Sequence, residues 1–380
     1  MGSETTAPRR YFDADSHVLE PVDWLTPYAD PEIRDRMRTL AMPGVPNNES
    51  AAEIVAKRSP TALDDDPLWG RGYRAFGAWD SGERTAILDK YGIDVQLVFS
   101  TFAPGQFLSK DLDLLYGGVR AHTRALADFC SSDPRLLPVP LIPFTDIDRA
   151  LEELDAALDT GCGAVLVNTT APSKDMGPTH GDLDPFWARL QDADVPFVSH
   201  IGTGGKLVPT GYRENGRPVP PDFLGGGENV RSKDYINIGY WPENFLSALA
   251  LDGVFERFPR LRGASIEQGA EWLPGMLKKL DGAMQFARTE PDLAALPMKA
   301  SDYIRRQVKF TPFAKDDVGW IIDNVGPDLL MFSTDFPHPE GTKDPMGRFA
   351  EHLERFDDAT REKFYVENMR ELLGAALVHG

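Results

Sequence analysis

The chain has 380 residues, with 59 acidic against 40 basic side chains, a formal net charge of −19, 42% hydrophobic residues and two cysteines. That balance belongs to a globular protein, and the charge repels phosphate backbones and anionic membrane surfaces, so neither nucleic acid nor a membrane is expected as a partner. No run approaches the roughly 20 apolar residues of a membrane span. No signal-peptide core opens the chain, and Cys130 and Cys162 form neither a CxxC pair nor a cysteine ladder; a cytoplasmic location is expected.

Residues 1–10 are small and polar and read as a disordered leader. From there, aliphatic or β-branched runs alternate with amphipathic ones. The pattern predicts strands over 11–15, 94–100, 136–144, 163–169, 196–201, 261–267, 308–312 and 329–336. Helices are predicted over 83–91, 111–130, 147–159, 185–192, 242–257, 272–288 and 316–324. Alternation of this kind gives a parallel sheet covered by helices. Eight units, with no GxGxxG after the first strand, favour a closed (β/α)8 TIM barrel over an open sheet.

Two long stretches do not fit the repeating unit. Residues 24–82 follow the first strand and 202–241 the fifth, so both should emerge at the C-terminal face as insertions that wall the site. The barrel then occupies 11–345, and 346–380 adds C-terminal helices to the same domain.

Of the seven histidines, His122, His352 and His379 read as bland, and His180 as a turn residue. His17, His200 and His338 each end or just follow a predicted strand, at the mouth where loops converge. Strand alternation places Asp13, Asp15 and His17 on one face. Three ionisable groups turned into a barrel are costly without a cation. The eighth strand delivers Asp335 and His338 beside the first. Asp15, His17, His200 and Asp335 therefore make a mixed His/carboxylate set suited to Zn, Mn or Fe.

These residues also carry a resemblance. The opening Asp13-Ala14-Asp15-Ser16-His17-Val18-Leu19-Glu20-Pro21, the strand-five His200, the run from Glu267 to Pro274, and Ser333-Thr334-Asp335-Phe336-Pro337-His338 resemble the amidohydrolase superfamily. The similarity is to its amidohydrolase-2 branch, which includes aminocarboxymuconate semialdehyde and resorcylate decarboxylases. The resemblance places metal ligands at Asp15, His17, His200 and Asp335. The sequence departs from those decarboxylases at Asp15, where His or Glu is usual, and at Glu267, where they present a strand-six histidine.

Glu267 is then either a metal ligand or a structural glutamate. Counted with Asp13, Asp15, Glu20 and Asp335, it offers enough oxygen donors for one or two divalent ions, with Fe or Mn favoured over Zn. The leading expectation is a metal-dependent hydrolase that attacks an amide, ester or thioester carbonyl. Asp335, with His338 or Glu267, would handle the proton. Non-oxidative decarboxylation or hydration of an aromatic or unsaturated acid is the alternative, and a barrel that binds without catalysis the third reading. Phe102, Phe107, Tyr235, Tyr240 and Trp241 are expected to line a roomy apolar pocket for a small molecule, with Asn168 as a hydrogen-bonding partner. A homodimer is the expected assembly.

Overall fold

The computed structural model describes residues 10–39, 72, 75–218, 231–338, 341–342 and 344–378. Residues 1–9 of the expected leader, and 40–71, 73–74 and 219–230 of the expected insertions, lie outside the described residues. Among the described residues seven parallel strands are formed: β1 (Tyr11–Val18), β2 (Ile93–Ser100), β3 (Leu136–Pro138), β4 (Val165–Leu166), β5 (Phe197–His200), β6 (Gly263–Ile266) and β7 (Val308–Phe310). They pair as β1-β2-β3 and β4-β5-β6-β7.

Single bridges close the ring. Leu141 pairs with Leu166 between the two sheets, Phe310 with Leu330, and Ser16 with Phe336. The eighth position of the TIM barrel is thus filled by a segment that touches both neighbours without forming a ladder. Three backbone hydrogen bonds, from Ala14 N to Phe332 O (3.0 Å), from Asp335 N to Asp15 O (2.9 Å) and from His17 N to Phe336 O (2.7 Å), tie it to β1.

Several expected strands are shorter than their apolar runs, for local reasons. Pro138, Pro140 and Pro143 interrupt 136–144 and cannot donate to a ladder, so β3 stops at Pro138. The covering helices include α1 (Ser81–Tyr91), α2 (Leu112–Cys130), α3 (Ile147–Asp159), α4 (Asp184–Ala193), α5 (Tyr240–Leu251), α6 (Leu273–Phe286), α7 (Ala300–Gln307), α8 (Val318–Val325) and α9 (Pro345–Leu353). Asp80, Asp111, Asp146 and Asp317 cap α1, α2, α3 and α8 by accepting backbone N–H groups of the first turn.

The single helix expected over 242–257 is two, because Gly253 takes a left-handed conformation (φ 72°) between α5 and a short turn, Val254–Arg257. Helix α7 has no counterpart among the expected elements. Its two turns are too short to show a helical period, yet Tyr303 and Ile304 are fully buried. Glycine matters at Gly263, where a Cβ would fall 2.1 Å from the Phe197 ring and force β5 and β6 apart. Among the described residues no helix is long and apolar enough to cross a membrane.

His122, in α2, is fully buried, with Nε2 2.7 Å from Ser100 Oγ at the end of β2. Burial pushes its pKa down from 6.5 to about 3. Between those values the unfolded chain carries a proton that the folded one refuses, so stability falls as pH is lowered through that window. The slope approaches about 1.4 kcal/mol per pH unit. His122→Gln is expected to flatten the stability profile between about pH 4 and 6 by this slope. Urea unfolding at stepped pH reads it, and an unchanged slope would remove His122 as a source of acid sensitivity.

Candidate metal centre

Strand ends bring six donors to one point. Asp15, His17, His200 and Glu267 form one group, and His17, Glu267, Asp335 and His338 a second, the ligand atoms of each group lying within 4.8 Å of one another. All six residues are buried. His17 Nε2 sits 3.3 Å from Asp15 Oδ1 and 3.7 Å from Asp335 Oδ1. His200 Nε2 sits 3.4 Å from Asp15 Oδ1 and 3.2 Å from Glu267 Oε2. The His17 and His338 rings stack at 3.8 Å.

Two of these carboxylates are presented by unusual backbone. Glu267 (φ 51°) and Asp335 (φ 52°) are two of the three described non-glycine residues in the left-handed region. Such positions cost about 1–3 kcal/mol and persist where the surroundings enforce them. Glu267 N donates to Thr311 Oγ1 at 2.8 Å, and Asp335 N to the Asp15 carbonyl.

Hydrogen bonds on the outer side fix which ring nitrogens face inward. His200 Nδ1 lies 2.9 Å from the Ile201 carbonyl, which can only accept, so Nδ1 carries the proton and the Nε2 lone pair faces the carboxylates. Thr101 gives its hydroxyl proton to the Val18 carbonyl (2.9 Å) and so accepts from His338 Nε2 (2.9 Å). When Nε2 alone carries a proton, the Nδ1 lone pair of His338 faces Asp335 Oδ1 at 3.0 Å. Two acceptors at that distance need a cation or a shared proton between them.

His17 Nδ1 and Nε2 and Asp15 Oδ2 are buried and make no hydrogen bond among the described residues. Burial, then the neighbouring His338 and His200 rings, pushes the His17 pKa down to about 3. At Asp15 burial acts to raise the pKa, but the adjoining His17 and His200 rings win and hold the carboxyl below its ordinary range. A neutral imidazole between ionised carboxylates is the state that binds a metal. The donor set fits Mn, Fe or Zn.

Thr101→Val, which removes the acceptor behind His338, is expected to weaken Mn2+ binding about tenfold. Thr101→Ser should bind as the parent does. A fluorescence or calorimetric titration of metal-stripped protein reads both, and equal affinity for Val and Ser variants would contradict this role.

The structure corrects three sequence expectations. Asp13 does not join the donors: a bulge between Asp13 and Ser16 breaks the alternation of β1. Its carboxylate instead accepts from Gln96 Nε2 (2.8 Å), Thr334 N (2.8 Å) and Thr334 Oγ1 (2.7 Å), and burial raises its pKa to about 6. Glu20 accepts the backbone N–H groups of Thr101, Phe102 and Ala103 at 2.9–3.1 Å and so braces the turn that carries Thr101. Phe107 is core, because Gly118 leaves room for its ring against α2.

Two cavities lie along the segments that follow β5 and β6, and none of the six donors is among their lining residues. One, of about 220 Å³, is lined by Ile201, Gly202, Lys206, Trp241 and Gln268 among others. The second, of about 310 Å³, is lined by Tyr235, Tyr240, Trp272, Phe313, Glu271 and Asp316 among others, and Ile238 borders both. Ile201 directly follows His200, and Gln268 directly follows Glu267. Phe102 is half-buried and packs near Phe336. Asn168 is half-buried just past β4, beside Thr169, whose N–H donates to the Thr203 carbonyl of the loop after His200. Ile238, Trp272 and Phe313 were not anticipated as lining residues; their only sequence signal is that they sit in loops or helix starts after barrel strands.

A closed barrel with a buried His/carboxylate cluster at its C-terminal mouth defines the class, a metal-dependent barrel enzyme. The chain belongs to the amidohydrolase family, whose profile matches residues 15–375. It is 27% identical over 267 residues to a gamma-resorcylate decarboxylase of a Rhizobium species, covering 67% of this chain and 76% of that one. Among solved structures, an amidohydrolase from Mycobacterium avium subsp. paratuberculosis superposes with a TM-score of 0.75 at 24% identity, covering 97% of this chain and 100% of that one. A dihydroxybenzoic acid decarboxylase from Polaromonas sp., with bound manganese and the inhibitor 2-nitroresorcinol, superposes with a TM-score of 0.64 at 17% identity, covering 97% of each chain. The curated relative and the Polaromonas structure are named for decarboxylation, so the alternative expectation is better supported than the leading one of hydrolysis.

Proposed function

We propose that this protein is a metal-dependent, non-oxidative decarboxylase of an aromatic acid. The observation that carries the reading is that the two donor groups are not separate sites: they share His17 and Glu267, and His17 Nε2 lies 3.3 Å from Asp15 Oδ1 and 3.7 Å from Asp335 Oδ1. That geometry suits one ion rather than two, and the curated relatives named for decarboxylation support the same chemistry.

Asp15, His17 and His200 would hold the ion, with Glu267 and Asp335 in reach. When bound, the metal supplies a positive charge that anchors an anionic substrate and stabilises negative charge developing on it. The proton is carried by the Asp335–His338 pair, whose Oδ1 and Nδ1 lie 3.0 Å apart. It passes to the ring carbon that bears the carboxylate; the carbon–carboxylate bond then breaks, its electron pair returns to the ring, and CO2 leaves. Thr101, by holding His338 Nε2, keeps Nδ1 turned toward Asp335. Glu267 stands where the resemblance places a strand-six histidine, and its Oε2 lies 3.2 Å from His200 Nε2, within reach of the same ion.

The second cavity carries Glu243, Glu271 and Asp316 at its wall, so it repels a second carboxylate and suits a neutral aromatic face against Tyr235 and Phe313. Hydrolysis remains the second reading, favoured by one observation: a carboxylate, not a histidine, ends β6.

The test is to load the protein with Mn2+, offer a panel of hydroxybenzoic acids with matching esters and anilides, and follow CO2 release beside alcohol or amine release. CO2 from at least one acid is the expected result. Ester or amide cleavage with no CO2 from any acid would replace this reading with hydrolysis.

A further inference from the structure

Arg84 is an arginine of α1 with no exposure to solvent, lying directly behind the metal centre. Its guanidinium donates from Nη2 to the His17 carbonyl (2.5 Å), from Nε to the Gly77 carbonyl (2.6 Å) and from Nη1 to Gln96 Oε1 (3.0 Å) and Ser16 Oγ (3.3 Å). Its guanidinium carbon stands 4.9 Å from the centre of the Phe336 ring. One side chain therefore touches β1 at His17, β2 at Gln96, and the eighth segment at the residue after Asp335.

The contacts continue past Gln96. Gln96 receives Arg84 on Oε1 and donates from Nε2 to Asp13 Oδ2, and Asp13 accepts from the backbone N–H and hydroxyl of Thr334. Thr334 immediately precedes Asp335, so the chain Arg84–Gln96–Asp13–Thr334 runs from one guanidinium to the backbone that aims a carboxylate at the centre. This is one of three junctions of the barrel closed by an isolated bridge rather than a continuous ladder. Here the side-chain hydrogen bonds add to the backbone bonds that join the eighth segment to β1.

The chain is built to admit this arginine. Gly77 has φ 76°, and a Cβ on it would sit 3.0 Å from the Arg84 backbone, so a glycine lets α1 start against the loop whose carbonyl the guanidinium binds. Planar fork geometry suits Arg for several fixed acceptors; Lys offers a point charge that cannot span them.

We propose that Arg84 is a positioning residue for the metal centre, setting the relative placement of His17 and Asp335 directly and through Gln96, Asp13 and Thr334. The proposal rests on the metal-centre reading above. Outer partners of ligand residues typically change metal affinity by about 10–100-fold when removed.

The test uses the full-length chain stripped of metal. Mn2+ binding is followed by electron paramagnetic resonance, which reads both the affinity and the spectrum of the bound ion, for the parent, Arg84→Lys and Gln96→Met. Thermal unfolding of each metal-free protein is recorded alongside. Arg84→Lys is expected to weaken Mn2+ binding at least about tenfold and alter the bound-ion spectrum. Gln96→Met, which keeps Arg84 but cuts the link to Asp13, should weaken it severalfold with metal-free melting close to the parent. If Arg84→Lys does not fold, Gln96→Met decides. Parent-like affinity and spectrum in the folded variants would overturn the positioning role while leaving the metal centre intact. A parent that binds no Mn2+, Zn2+ or Fe2+ would overturn the metal reading itself, and this inference with it.

Discussion

Asp335→Asn is expected to lower kcat by about 10³-fold or more while the protein stays folded, because it removes both the proton carrier and a negative charge of the centre. The variant is close to isosteric, and asparagine tolerates the left-handed backbone that Asp335 occupies (φ 52°). The bond from the residue-335 N–H to the Asp15 carbonyl, which helps close the barrel, is kept. Loss of activity with unchanged circular dichroism and a melting point within about 2 °C of the parent would place the defect in the chemistry; on the scale of entropy per residue, that shift is under about 2 kcal/mol. A kcat within tenfold of the parent would remove Asp335 from the mechanism, and the pairing with His338 Nδ1 would then be structural.

Metal removal should have two coupled effects. A ligand present at about 100–1,000 times its dissociation constant stabilises the folded state by about 2.7–4.1 kcal/mol. With an unfolding entropy of about 2.1 cal/mol/K per residue, a chain of 380 residues should lose about 3–5 °C in Tm on stripping. The buried His17 and Asp15 atoms that make no hydrogen bond supply the physical reason, since without a cation they face one another undischarged. Turnover should vanish with the metal and return with Mn2+. A chelated protein with unchanged Tm and unchanged turnover would contradict the account.

The donors were legible because strand alternation ends at Asp15, His17, His200 and Asp335, each just where a barrel strand reaches its C-terminal mouth. Asp13 and Glu20 were misread for reasons the sequence hides. A bulge turns Asp13 toward Gln96 and Thr334, and the acceptors of Glu20 are used up by backbone N–H groups some eighty residues away in the chain. Phe107 is core rather than pocket because Gly118 hollows out α2 beneath its ring, a contact between residues of two different helices that no motif marks. Arg84 and Thr101 have no motif at all, because their importance lies in which carbonyls and ring nitrogens the fold brings to them. Strand length was the least legible feature of the fold, since the apolar run 136–144 says nothing of how prolines cut its ladder.

The central claim is that the buried cluster at the barrel mouth holds one divalent ion through Asp15, His17 and His200. The direct measurement is the metal content, by plasma mass spectrometry, of protein purified without chelator or histidine tag, beside the His17→Ala variant. The account predicts close to one ion per chain in the parent and a large loss in the variant. Two ions per chain would return the binuclear hydrolase to first place. No ion in the parent, with none taken up from added Mn2+, Fe2+ or Zn2+, would contradict the account outright.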